Sequence, residues 1–72
     1  MKVVFIDPHF QKAVAFVNDY SKISAFVKDF MVHEEIDGVD FLLGSYGDWE
    51  VYVKIGTYLK FCGTISDVLA TY

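Results

Sequence analysis

Two histidines and one short acidic run are the residues of this chain whose types could do chemistry. His9 lies in Asp7-Pro8-His9, and His33 opens His33-Glu34-Glu35-Ile36-Asp37. Imidazole titrates near neutral pH and can act as a base or a metal ligand, yet neither context shows the His-x-x-x-His or Cys/His spacing of a zinc site. Glu34, Glu35, Asp37 and Asp40 could together attract a divalent cation, but they lack the calcium-loop pattern and read as a solvated acidic loop. Cys62, the single cysteine, reads as a small, partly buried residue, because free cysteine is among the most buried types. Nucleophilic catalysis would need Ser or Cys beside a histidine base and an orienting carboxylate, and no spacing here joins them. Gly44-Ser45-Tyr46-Gly47 falls inside an expected hairpin, with no helix N-terminus following to receive phosphate. The sequence predicts no catalytic residue, no metal and no cofactor.

Charge and composition narrow the partners. The formal charge is −4, and all six basic residues are lysine. Nucleic-acid binding relies on a basic footprint and on arginine for bidentate contacts, so direct nucleic-acid binding is not expected. Tyr46, Trp49, Tyr52 and Tyr58 could stack on bases, but without surrounding positive charge they suit a protein interface better. Hydrophobic residues make up 54% of the chain and aromatics 18%. A domain of this size buries only roughly 60% of its unfolded surface, so an apolar patch should be left outside, for a partner or a second copy. With one cysteine, no signal-peptide pattern and no apolar run near the roughly 20 residues of a membrane span, a soluble cytoplasmic protein is expected.

The elements that would position these residues follow from periodicity. A single α+β domain over 1–72 is expected, with helices on one face of a mostly antiparallel sheet. Met1–Ile6 reads as a strand. Asp7-Pro8 signals a helix start, predicting a helix over 8–18 with Phe10, Ala13, Val14 and Val17 on its stripe; a strand over Lys12–Val17 is the alternative. Ile23, Phe26, Val27, Phe30 and Met31 predict a second helix over 22–33, with Ser21 as cap. Val39–Ile55 alternates on both sides of Gly47, so a hairpin is expected, with Leu43 opposite Val51, Phe41 opposite Val53 and an Asp40–Lys54 ion pair. Gly56 then turns the chain into a meander over 39–62, with Ile55 opposite Leu59 and Lys54 facing Lys60. Thr64 caps a short last helix over 65–72, whose apolar face is Ile65, Val68, Leu69 and Tyr72.

The expected function is non-catalytic protein binding by an accessory or inhibitory module that occupies a partner's surface, a homodimer being expected. By analogy alone, the small acidic chain suits an accessory protein of a virus or mobile element. The acidic patch Glu34, Glu35, Asp37 and Asp40 would face a basic, nucleic-acid-binding groove, its carboxylates standing in for phosphates. The apolar sheet face of Leu42, Tyr52 and Tyr58 would meet the partner or a second copy. A structural homo-oligomeric subunit and a small enzyme with a subunit-shared site around His9 or His33 are the alternatives.

Overall fold

A computed structural model describes residues 1–71. It is an α+β fold with strands β1 (Lys2–Ile6), β2 (Ala13–Val17), β3 (Glu50–Ile55) and β4 (Tyr58–Thr64), and helices α1 (Ala25–His33), α2 (Val39–Tyr46) and α3 (Ile65–Thr71). The strands form one antiparallel sheet in the order β2-β1-β3-β4. Tyr72, placed above on the last helix, lies outside the described residues. Among these residues no helix is long and apolar enough to cross a membrane.

The helix expected over 8–18 is not formed. Its start signal works for one turn only: Asp7 Oδ1 accepts from the backbone N–H of His9 at 2.8 Å, and Gln11 N–H bonds the Asp7 carbonyl at 2.8 Å. Gln11 then adopts φ 55°, a left-handed conformation that a helix cannot continue through. The chain returns as β2, pairing Val14 with Phe5 and Phe16 with Val3. Pairing with β1, together with the β-branched and aromatic side chains of Val14, Phe16 and Val17, overrides the local cap.

Helix α1 follows its expected stripe. Phe26, Val27 and Phe30 are buried, and the chain enters through a tight turn over Lys22–Ser24, with Ala25 N–H bonding the Lys22 carbonyl. The helix therefore begins after Ser24, and not at a Ser21 cap. Its end is a Schellman motif: Ile36 N–H bonds the Met31 carbonyl at 2.8 Å and Glu35 N–H bonds that of Val32 at 3.2 Å. Glu35 takes the left-handed position with φ 57°, where glycine is usual.

The largest correction concerns Val39–Tyr46, which is helix α2 and not the first arm of a hairpin. A short apolar run fits either period. Leu42 and Tyr46 share a helical face, and Leu42 is fully buried. Asp40 lies in the first turn, where a negative charge is favoured, so it does not pair with Lys54. Lys54 instead lies across from Lys2 and Leu59. The expected turn at Tyr46-Gly47-Asp48 is a helix-to-strand connection. A side chain at Gly47 would meet the Leu43 carbonyl and lie 2.7 Å from Ser66 Oγ; the close approach holds a bond from Ser66 N–H to the Gly47 carbonyl at 3.2 Å.

The second half of the meander does form, in another register. Gly56-Thr57 is a two-residue turn with Ile55 opposite Tyr58, and Gly56 at φ 60° supplies the positive φ that type II′ turns need at their first central residue. Thr64 caps α3 as expected, and Asp67 completes a capping box: Thr64 N–H donates to Asp67 Oδ2 at 3.0 Å and Asp67 N–H to Thr64 Oγ1 at 3.3 Å.

The core lies between one sheet face and the helices. Val3, Phe5 and Val51 from the sheet meet Phe26, Val27, Phe30, Ile36, Leu42, Trp49, Ile65 and Val68. Phe5 stacks on Phe30 with centroids 4.6 Å apart, and Phe30 meets the Trp49 ring edge-on at 5.1 Å.

Two substitutions test this account by thermal and denaturant unfolding. Glu35→Gly removes left-handed strain and should stabilise by about 1 kcal/mol, raising Tm by roughly 4–8 °C. Gly47→Ala drives its Cβ into the Leu43 carbonyl of α2 and crowds Ser66 Oγ, and should destabilise by about 1–3 kcal/mol.

Candidate functional site

Strand register divides the sheet into two unlike faces. Odd residues of β1 and β3 and even residues of β2 point into the core. The opposite face is built of three rows across the strands: Ala15-Val4-Tyr52-Phe61, Val17-Lys2-Lys54-Leu59 and Ala13-Ile6-Glu50-Thr64. The three helices send their buried side chains to the other face. Val17 is 73% exposed, Phe61 54% and Leu59 43%, while central Val4 is buried between its row neighbours Ala15 and Tyr52.

Tyr52 and Phe61 form the middle of this surface, with ring centroids 5.3 Å apart. The Tyr52 hydroxyl donates to Glu50 Oε1 at 2.8 Å, which tips the ring along the strand toward the acidic end of the face. Donation to a carboxylate, with smaller contributions from burial and charge repulsion, raises the Tyr52 pKa. The face is thus apolar in its central row, cationic at the Lys2 and Lys54 end and anionic at Glu50.

The residues singled out from the sequence are not brought together. Tyr52 lies on the uncovered face. Tyr58 is exposed, but it sits opposite Ile55 on the other face parity. Leu42, expected beside them, is sealed in the core. Of the acidic run, Glu35, Asp37 and Asp40 are exposed. Glu34 is engaged within the fold, with only 10% of its side chain exposed: its Oε1 lies 3.6 Å from Lys12 Nζ and its Oε2 lies 3.0 Å from His33 Nδ1. Glu34 ties the end of α1 to the chain entering β2 and is not available to a partner.

Each histidine also meets a carboxylate. His9, on the exposed β1–β2 loop, places its Nε2 2.7 Å from Asp48 Oδ2 in the α2–β3 connection, and His33, besides its bond to Glu34, meets the edge of Phe16 at 5.6 Å between centroids. The loop pairing could orient an imidazole. Cys62 is half-buried at the β4 bulge, its Sγ 3.5 Å from the Lys60 carbonyl, whereas the two histidines bond Asp48 and Glu34. Among the described residues no three His, Cys, Asp or Glu side chains converge as a metal would require. An open cleft is lined by Met1, Ser21, Lys22, Ile23 and Thr71, none of which, among the described residues, offers a side-chain carboxylate, imidazole or thiol.

The sequence reading missed Phe61, Leu59, Val17, Val4 and Ala15 as members of the uncovered face. The signal for the first two was the register of the Gly56 turn, for Val17 and Ala15 the alternation within Ala13–Val17, and for Val4 its parity in β1. No family model, no curated protein and no solved structure matches the chain.

The raised Tyr52 pKa can be read by absorbance titration of the phenolate. The fold favours the neutral phenol, so this contribution to stability is complete below pH ~10 and is lost as pH rises through the raised value. Glu50→Gln should return Tyr52 toward the ordinary tyrosine range, whereas an unchanged phenolate titration would mean that Glu50 is not the cause.

Proposed function

We propose that this protein is a non-catalytic protein-binding module whose contact surface is the uncovered sheet face. The observation that carries the reading is the unbroken apolar row Ala15-Val4-Tyr52-Phe61, flanked by Val17 and Leu59. A solvated antiparallel face ordinarily carries polar residues, and an aromatic pair bordered by charge resembles the centre and rim of a protein interface. The partner is a protein that offers an apolar surface. Its surroundings are basic: the chain's net charge of −4 and the exposed Glu35, Asp37 and Asp40 would speed encounter with such a surface without themselves forming the contact. Occupying that surface is the means of action, as expected of an accessory or inhibitory protein.

The test compares immobilised wild type with Phe61→Asp, whose change is confined to an exposed position, by affinity capture from the native cell and quantitative mass spectrometry. A specific partner should be retained by wild type and reduced at least about tenfold with Phe61→Asp. Its association rate should fall several-fold when Glu35, Asp37 and Asp40 are neutralised, with a weaker salt dependence. Equal capture by wild type and Phe61→Asp, with both folded by circular dichroism, would overturn the reading.

A further inference from the structure

The two edges of the sheet are treated differently. Strand β4 carries Lys60, and it bulges at Cys62, since Val51 pairs with Gly63 but the next residue, Tyr52, pairs with Phe61. Charge and bulges are the devices by which exposed edges avoid pairing with another strand. Strand β2, AVAFV, has neither: from Ala13 to Val17 it contains no charge, no proline and no break in its pairing with β1.

The direction of its free backbone groups can be assigned. Asp7 N–H bonds the Lys12 carbonyl at 2.8 Å, and Asn18 N–H bonds the Met1 carbonyl at 3.1 Å. Hydrogen-bonded pairs alternate along an antiparallel ladder, so residues 12, 14, 16 and 18 turn their backbone groups toward β1. Those of Ala13, Ala15 and Val17 point out from the sheet.

We propose that β2 pairs antiparallel with β2 of a second copy about a two-fold axis at Ala15, joining the sheets into one of eight strands. This register sets Ala15 opposite Ala15, Ala13 opposite Val17 and Val14 opposite Phe16, so every side chain keeps its face and meets an apolar one. Each of the outward N–H and C=O groups of Ala13, Ala15 and Val17 then finds a partner. Shifting the axis to residue 14 or 16 leaves part of the strand unpaired or draws in Gln11, whose left-handed backbone cannot extend the ladder. At the flanks Lys12 of one copy comes opposite Asn18 of the other, whose side-chain amide holds the Asp29 carboxylate at 3.1 Å and whose carbonyl accepts from the Met1 ammonium at 3.0 Å; with Asp19 the flank sets two carboxylates against one ammonium, a balance that favours Lys12. Two-fold symmetry repeats it at the other end. A second copy therefore supplies matched register and apolar pairing, with a modest charge match. The three rows of the uncovered face also continue across the junction, which doubles the apolar surface.

This association uses the sheet edge, whereas partner binding uses the sheet face, and different substitutions separate them. Ala15→Pro removes only an outward N–H and no bond to β1; Ala15→Lys sets two ammonium groups against each other. Sedimentation equilibrium should show wild type moving toward twice 8.2 kDa as concentration rises, with each variant weakening self-association by about tenfold or more. Phe61→Asp should leave it unchanged. Amide exchange by NMR should show Ala13, Ala15 and Val17 becoming protected as concentration rises, with Val14 and Phe16 protected throughout. A chain that stays monomeric to about 1 mM, a dimer in which those three amides exchange freely, or one dissolved by Phe61→Asp and not by Ala15→Pro would each overturn the proposal.

Discussion

The antiparallel pairing of Lys2–Ile6 with residues 50–54 is the contact on which the remaining structure depends. It joins segments more than forty residues apart and sets Phe5 opposite Val51 and Val3 opposite Val53, two rows that the helices then cover. Phe5 is the centre of that cover: it stacks on Phe30 and meets Phe16 edge-on at 5.8 Å. Once β1 lies beside β3, each central strand has one side left. Local hairpins fill both, β2 on β1 and β4 on β3. The intervening residues 18–49 then have no place in the sheet and cross its core face as helices, which buries their apolar stripes where a strand could not.

This accounts for what could be read from the residues alone and what could not. The α1 stripe and the Thr64 cap of the last helix were legible because each is fixed within a few residues of itself. Val39–Tyr46 was misread as a strand because its alternation, Val39, Phe41, Leu43, is real. The competitor that displaces it from β3 is β1, nearly fifty residues away from β3, and no local pattern reveals that. Asp7-Pro8 was a true cap signal for a turn that Gln11 stops after one cycle. The same long-range pairing that excludes residues 39–46 from the sheet gives residues 13–17 an edge to join.

The uncovered face shows how a small register error misplaces a site. The residues of β4 were expected one position out, with Phe61 opposite Val53 and hence toward the helices. The two-residue turn at Gly56-Thr57 moves Phe61 opposite Tyr52 and Leu59 opposite Lys54, on the other side of the sheet. A slip of one residue reverses every side chain of a strand. That register also relieves the facing of Lys54 and Lys60 which the other would impose, so the charges favour the turn that glycine permits. Tyr52 could be placed because β3 parity is anchored by Trp49 and Val51; its aromatic neighbour could not.

The described helices cover one face of the sheet, which does not explain what stands on the bare one. Three helices of nine, eight and seven residues suffice for one face, and the other could carry threonine, glutamate and lysine at no cost to the core, as solvated antiparallel faces do. Here the four positions of the central row are Ala15, Val4, Tyr52 and Phe61, none of which the helical core touches. Lys2, Lys54 and Glu50 are held to the ends. Phe61, Leu59 and Val17 lie outside the core, and each exposes hydrocarbon to water while the protein stands alone. A surface whose composition the fold does not require is what the proposed contact would account for, and the sheet edge beside it, left without charge or bulge, would extend that surface in the plane of the strands.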